Sequence, residues 1–366
     1  MTRTLSRPEL IAWVRLARTP RIGPLTFHRL IARHRTPSGA LEALPRISNL
    51  IAPTPDVAEA EIEAAEALGA RLVASCEPDY PPLLAQLDAP APIISIRGDP
   101  AWLKKPTIAI VGSREASGAA QVFAERLAAD LGAAGFTIVS GLARGLDAAA
   151  HKGALETGTV AVLAGGLDHP YPPQNLNLHA AICERGAVVS EAPLGTVARA
   201  RDFPRRNAII SGVSRAVIVI EAALRSGSLI TARAAADQGR DVMAVPGSPL
   251  DPRARGSNAL IKQGATLIEG AEDVLAALGD GAPPLRPLSA GSLFSIDAEP
   301  PPPGLPKKIA ALLSPTPIHV NDLARLTDAP MGAVAAALTE LEVEGRAASL
   351  PGGYAALGRH AFPIET

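Results

Sequence analysis

Three observations predict an α/β protein with a helical module at each end. Seven short β-rich runs alternate with helical stretches between residues 107 and 268, the pattern of a Rossmann-like, doubly wound, mostly parallel sheet. Residues 8–75 place Leu10, Ile11, Val14 and Leu16, then Phe27, Leu30 and Ile31, at helical spacing broken by Gly and Pro. That predicts a small all-helical N-terminal domain of the SAM or helix-hairpin-helix-like kind. Residues 280–306 carry eight prolines without a periodic face, and three helices followed by two strands come after them. This order predicts a linker and then a C-terminal winged helix. The expected boundaries are 1–75, 76–280, a linker over 281–306, and 307–366.

Within the helical domain, Arg21-Ile22-Gly23-Pro24-Leu25-Thr26 is a turn feeding a helix. Such a turn either joins two helices or presents backbone N–H groups to phosphate, as in helix-hairpin-helix modules. The strands are expected at 107–111, 137–140, 160–164, 188–190, 216–221, 242–245 and 266–268, with 93–97 as an added edge strand. In the last module, helices at 308–313, 320–326 and 331–344 precede strands at 346–350 and 354–357, joined by a Pro351-Gly352-Gly353 turn. The third helix holds no Lys, Arg, Asn or Gln to read base edges and carries Glu340, Glu342 and Glu344. It is expected to contact protein rather than duplex DNA.

Composition narrows the function classes. Aromatics at 3% leave few rings for base stacking, so any grip on nucleic acid must lean on charge and backbone. With 35 basic and 36 acidic residues the net charge is -1, which excludes a bulk polycation but not a local positive groove. Cys76 and Cys183 stand far apart without a C-x-x-C pair, arguing against a disulfide framework or zinc site and for a reducing cytosol. No metal and no cofactor are expected. The N-terminus lacks an apolar core and no stretch approaches the roughly 20 apolar residues of a membrane span.

The chemistry concentrates in loops at the carboxyl ends of the strands. Gly112, Ser113 and Arg114 follow the first strand, at the edge where such sheets bind ligands. Neither G-x-G-x-x-G nor G-x-x-x-x-G-K-[ST] is present, so no nucleotide cradle is predicted. An arginine there offers a planar fork to a phosphate, and equally a salt bridge across the turn. A second Gly-rich turn, Ser140-Gly141-Leu142-Ala143-Arg144-Gly145, leads to Asp147, with His151 one helical turn on as a packing residue or a crevice ligand. Arg199, Arg201, Arg205 and Arg206 surround Phe203 and precede Asn207, a combination suited to backbone neutralisation plus one base stack. Ser226, Gly227 and Ser228 stand at a helix N-terminus as an anion nest. Open, basic, Gly-rich loops along one edge suit the repeating phosphates of a strand better than a closed pocket.

Taken in order, these motifs resemble the DprA/Smf family of DNA-processing proteins. They are Val111-Gly112-Ser113-Arg114; Ser140-Gly141-x-Ala143-x-Gly145-x-Asp147 with Ala150-His151; Tyr171-Pro172 with Asn175; Ser190-Glu191; Phe203-Pro204-x-Arg206-Asn207; Glu221-Ala222 with Ser226-Gly227-Ser228; and Pro246-Gly247. The resemblance implies sequence-independent single-stranded DNA binding by the Rossmann-like core, a homodimer, and loading of RecA, with no reaction. It makes Arg114, Arg206 and Phe203 the strand-contacting candidates, with the loops 141–145 and 226–228 lending amides. Members often carry F-P-x-R-N-R; here the last position is Ala208, with Arg205 nearby.

Two other readings compete. A LOG-type nucleotide phosphoribohydrolase shares a related sheet, but its P-G-G-x-G-T-x-x-E loop needs a glutamate where Ala232, Arg233 and Ala234 stand. A duplex-binding regulator acting through the winged helix lacks base readers there.

Overall fold

Runs of Val, Ile and Ala without polar alternation form strands covered on both faces. The central strand, Thr107–Val111, is buried at all five positions. The computed structural model describes residues 3–47, 50–279, 302–344, 346–350 and 353–358. Among them the main sheet is built from β1 (Ala70–Ala74), β2 (Ile93–Gly98), β3 (Thr107–Val111), β4 (Thr137–Ser140), β5 (Thr159–Leu163), β6 (Ala187–Ser190), β7 (Ala216–Val219), β8 (Asp241–Ala244) and β9 (Thr266–Leu267). Their order is β1-β2-β6-β5-β4-β3-β7-β8-β9. Every pairing from β6 across to β9 is parallel, and only β1–β2 and β2–β6 are antiparallel.

Two expectations need correction at one end of this sheet. The segment at 93–97 is not an edge strand, because Ala70–Ala74 pairs outside it. That outer strand lies inside the range 1–75 expected to be all helical. Five residues following a helix are too few to show whether their apolar period is 2 or 3.6. The local cue is Gly69, whose φ of 71° ends the helix Pro55–Ala67 one residue past its cap.

The helices Arg7–Ala17, Pro24–His34, Pro37–Ile47 and Pro55–Ala67 form the N-terminal domain. Its apolar faces are not a separate core. Trp13, Leu16, Phe27 and Ile62 share one cluster with Leu142, Leu163 and Ile182 of the sheet domain. The docking is also polar, since Trp13 Nε1 donates to the Pro92 carbonyl at 2.7 Å and Arg18 Nη1 to that of Glu191 at 2.9 Å.

Of the linker expected over 281–306, residues 281–301 lie outside the described residues, as does the Pro351-Gly352 turn, and the linker's last two positions already belong to the helix Leu305–Leu312. Beyond the linker, Leu305–Leu312, Val320–Thr327 and Met331–Val343 pack with β10 (Ile318–His319), β11 (Ala347–Leu350) and β12 (Tyr354–Leu357), a winged helix with sheet order β10-β12-β11. The short β10 has no period that a sequence could reveal. This module has its own core, into which the sheet domain contributes Val122. Arg325 grips Glu125 on the helix Gly118–Ala133 at 2.6 and 2.7 Å, and Arg253 donates to the Leu313 carbonyl at 2.8 Å.

Candidate nucleic-acid interface

The chain winds one way from β3 through β4, β5 and β6, then returns to place β7 beside β3 and winds the other way through β8 and β9. Loops leaving adjacent strands at such a reversal diverge, and open a crevice above their carboxyl ends. A cleft of about 670 Å³ lies there, lined by the loops after β3, β4 and β7 and by the start of the helix Phe203–Gly212.

The cleft brings together Gly112, Ser113 and Arg114 from the first loop, Arg144 from the second, Phe203, Arg206 and Asn207 from the helix, and Ser226, Gly227 and Ser228 from the third loop. Gly145 lies just behind them with φ 73°, and a Cβ there would come within 2.4 Å of the Ser113 carbonyl oxygen, so the two Gly-rich turns interlock only with glycine. Gly141 is needed for the same reason of space, because a Cβ would sit 2.3 Å from Arg206 Nη1.

Charge at the cleft divides into mobile and fixed. Arg114, Arg144 and Arg225 are exposed, and none pairs with a carboxylate among the described residues. Their forks are free for an anion. The Arg114 guanidinium lies 4.9 Å from the Phe203 ring centroid, a cation–π contact that holds it over the cleft.

Arg206 departs from expectation. It is 6% exposed, and its guanidinium donates to the carbonyls of Gly141 and Val162 and, through Nε, to Asn207 Oδ1 at 3.0 Å. Burial lowers its pKa to about 10, against the opposing attraction of Asp147. The Asp147 carboxylate is pushed up by burial and eased by Arg206 and by the amides of Ala143 and Gly141. Arg206 thus ties the β4 and β5 ends together beneath the cleft. Asn207 extends the tie, donating through Nδ2 to the Gly227 carbonyl at 3.2 Å and so fixing the nest loop.

Five other candidates do not line the cleft. Ser140 is buried and its hydroxyl donates to the Ile110 carbonyl at 2.6 Å, an internal bond that leaves nothing for a ligand. Arg205 is paired with Glu191, while Arg199 and Arg201 are exposed on the approach to the helix. His151 does not face the crevice: it is fully buried, bonded through Nδ1 to Thr159 Oγ1 at 2.7 Å, and burial lowers its pKa to about 3.

Two residues in the right place were not among the candidates. Arg225 lines the cleft, and its cue was its place beside the nest serines. Tyr171 is 56% exposed, meets Phe203 edge-on at 6.5 Å between centroids, and lines a side cleft with Arg114 and Arg144. Its cue in the sequence is the Tyr171-Pro172 motif with Asn175.

Comparison with known proteins finds a match for each of the three parts of the chain. The profile of DNA recombination-mediator protein A matches residues 71–279, that of the DprA winged helix domain 296–353, and that of the DprA-like N-terminal HHH domain 7–64. Protein Smf of Escherichia coli (strain K12) is 41% identical over 285 residues, covering 76% of this chain and 75% of that protein. DNA processing protein DprA of Streptococcus pneumoniae is 44% identical over 200 residues, covering 54% and 70%. An X-ray structure of DprA from Streptococcus pneumoniae superposes with TM-score 0.63 and 31% identity over 75% of this chain and 98% of that one. DNA processing protein A from Helicobacter pylori, described with a unique single-stranded DNA binding mode, superposes with TM-score 0.51 and 28% identity over 54% and 92%. With its sheet domain, N-terminal helices and winged helix all matched, the chain belongs to the DNA recombination-mediator protein A, or DprA/Smf, family.

Proposed function

We propose that this protein binds single-stranded DNA without sequence preference in the cleft at the winding reversal, and acts as a non-enzymatic mediator that delivers the strand to RecA. The observation that carries the reading is the trio of unpaired arginines, Arg114, Arg144 and Arg225, around one ring, Phe203, in an open cleft. Free guanidinium forks neutralise phosphates whatever the base, and a single ring stacks any base. Side chains placed for base-edge discrimination are not needed for this and would narrow it.

An open cleft admits a strand passing through rather than a ligand enclosed on all sides. In this reading a homodimer offers two such clefts to one long strand, raising avidity without a new contact. The test compares single-stranded and duplex oligonucleotides of mixed sequence at several salt concentrations, with nucleoside monophosphates as a parallel arm. The reading expects tight, sequence-independent, strongly salt-dependent binding of the single strand, and no release of free base. Preference for duplex, or turnover of the monophosphates, overturns it.

A further inference from the structure

Outside the cleft, a group of unpaired arginines among the described residues lies on the N-terminal helical domain. Residues 10–47 contain seven arginines and one acidic residue, Glu42. Of the other carboxylates of the helices, Glu9 is paired with Arg3 and the rest lie on Pro55–Ala67, where Glu59, Glu61 and Glu66 are taken up by Arg7 and Arg18. Arg21, Arg29, Arg33 and Arg35 remain exposed, without a carboxylate partner among the described residues. Arg29 and Arg33 stand four residues apart on the helix Pro24–His34, facing away from buried Phe27 and Leu30. Like charges at that spacing repel, so the pair weakens the helix unless an anion lies between them.

The placement of this helix is the second observation. His28, on the same helix, is bonded through Nε2 to the Pro90 carbonyl at 2.9 Å, and Arg18 reaches the Glu191 carbonyl. Pro90 precedes β2 and Glu191 follows β6. Because β2 runs antiparallel to β6, with Ser95 opposite Ser190, both points lie at the carboxyl edge of the parallel strands. That is the edge that holds the cleft. From β3 to β2 is four strand spacings, about 19 Å. The interval is bridged at Glu191, whose carbonyl takes Arg18 and whose carboxylate takes Arg205 of the cleft's own helix.

We propose that the exposed face of the helix Pro24–His34, carried by Arg29 and Arg33, is a second phosphate-binding surface that receives the same single strand after it leaves the cleft. The proposal rests on the cleft reading above and adds to it a longer footprint. It predicts a dependence on oligonucleotide length that the cleft alone does not produce. The double variant Arg29→Gln/Arg33→Gln, titrated with oligothymidine of about 6 and about 30 nucleotides over a range of salt, tests it. On the short oligomer the variant binds as the parent does. On the long one its plot of log K against log salt is shallower by about 1.4, two contacts at about 0.7 each. Both side chains are solvent-facing and their repulsion is relieved, so the melting temperature stays at or slightly above the parent value. An unchanged slope on the long oligomer, or an equal loss on both lengths, overturns the proposal. Arg114→Ala separates the two readings. If it weakens both lengths while the double variant shows no length effect, the extension alone fails. If Arg114→Ala leaves both lengths unaffected, the cleft reading fails and the extension with it.

Discussion

Arg205 and Arg206 are sequence neighbours with the same chemistry and opposite fates. Arg206 is aimed beneath the cleft, where carbonyls of Gly141 and Val162 and the side chain of Asn207 hold it, while Arg205 turns outward to Glu191. Which of two adjacent arginines is buried depends on how the helix Phe203–Gly212 rolls against β4 and β5, and no local pattern in the sequence encodes that roll. The consequence is that Arg206→Ala acts on stability before it acts on binding. It leaves the buried Gly141 and Val162 carbonyls without their donor and removes an attraction that eases the charge of Asp147, a loss of about 1 to 3 kcal/mol. Urea unfolding of this variant is expected to show a lower midpoint; a parental midpoint contradicts the structural role. His151 makes a pH prediction. Its pKa is held at about 3 in the folded chain against an ordinary value of 6.5, so the unfolded state binds the extra proton between those limits. Stability therefore falls as pH drops through that window, by about 1.4 kcal/mol per unit. In His151→Asn, which keeps a polar partner for Thr159 and cannot titrate, the parent's loss between pH 6 and pH 4 is expected to flatten (pH values of about this size suffice). An unaltered pH profile in that variant argues against His151 as the source.

At the scale of elements, the strands were legible wherever a Val/Ile-rich run was bounded by turn residues, and β3 and β4 were placed at their observed limits from the sequence. The outer edge was not, because β1 is short and follows a helix directly. Its membership of the sheet changes what a truncation does. The N-terminal helices cover Leu142, Leu163 and Ile182, so a chain beginning at residue 68 exposes that shared apolar face, and one beginning at 76 also bares the edge of β2. Both are expected to aggregate. The winged helix instead keeps its own core, and a chain ending at residue 279 is expected to stay monodisperse in folded form and retain strand binding. Size-exclusion chromatography of the fragments, followed by gel shifts, checks both outcomes. Loss of strand binding from a well-folded 1–279 chain assigns the grip to the winged helix and contradicts the account.

For the whole molecule, a net charge of -1 coexists with a local group of unpaired arginines among the described residues. Among the described residues, Glu59, Glu61 and Glu66 are taken up in ion pairs on Pro55–Ala67, while Arg114, Arg144 and Arg225 line the cleft without a carboxylate partner, beside Glu115 and Asp147. Loops that directly follow parallel strands lie at one sheet edge, so Gly112, Arg114, Arg144 and Ser226 are recognisable as candidates from their place after predicted strands. Arg225 and Tyr171 enter the site through loop conformation, which sequence spacing does not fix. No helix among the described residues is long and apolar enough to cross a membrane.

The most direct measurement is a salt titration of single-strand binding by the variant Arg114→Ala/Arg144→Ala/Arg225→Ala, with Phe203→Ala as its counterpart. Three lost phosphate contacts flatten the plot of log K against log salt by about 2, for every base composition tested. Phe203→Ala loses a stack of about 1 to 3 kcal/mol and leaves the slope nearly unchanged. A triple variant that melts normally and keeps the parent's affinity and slope contradicts the assignment of the cleft as the strand-binding site.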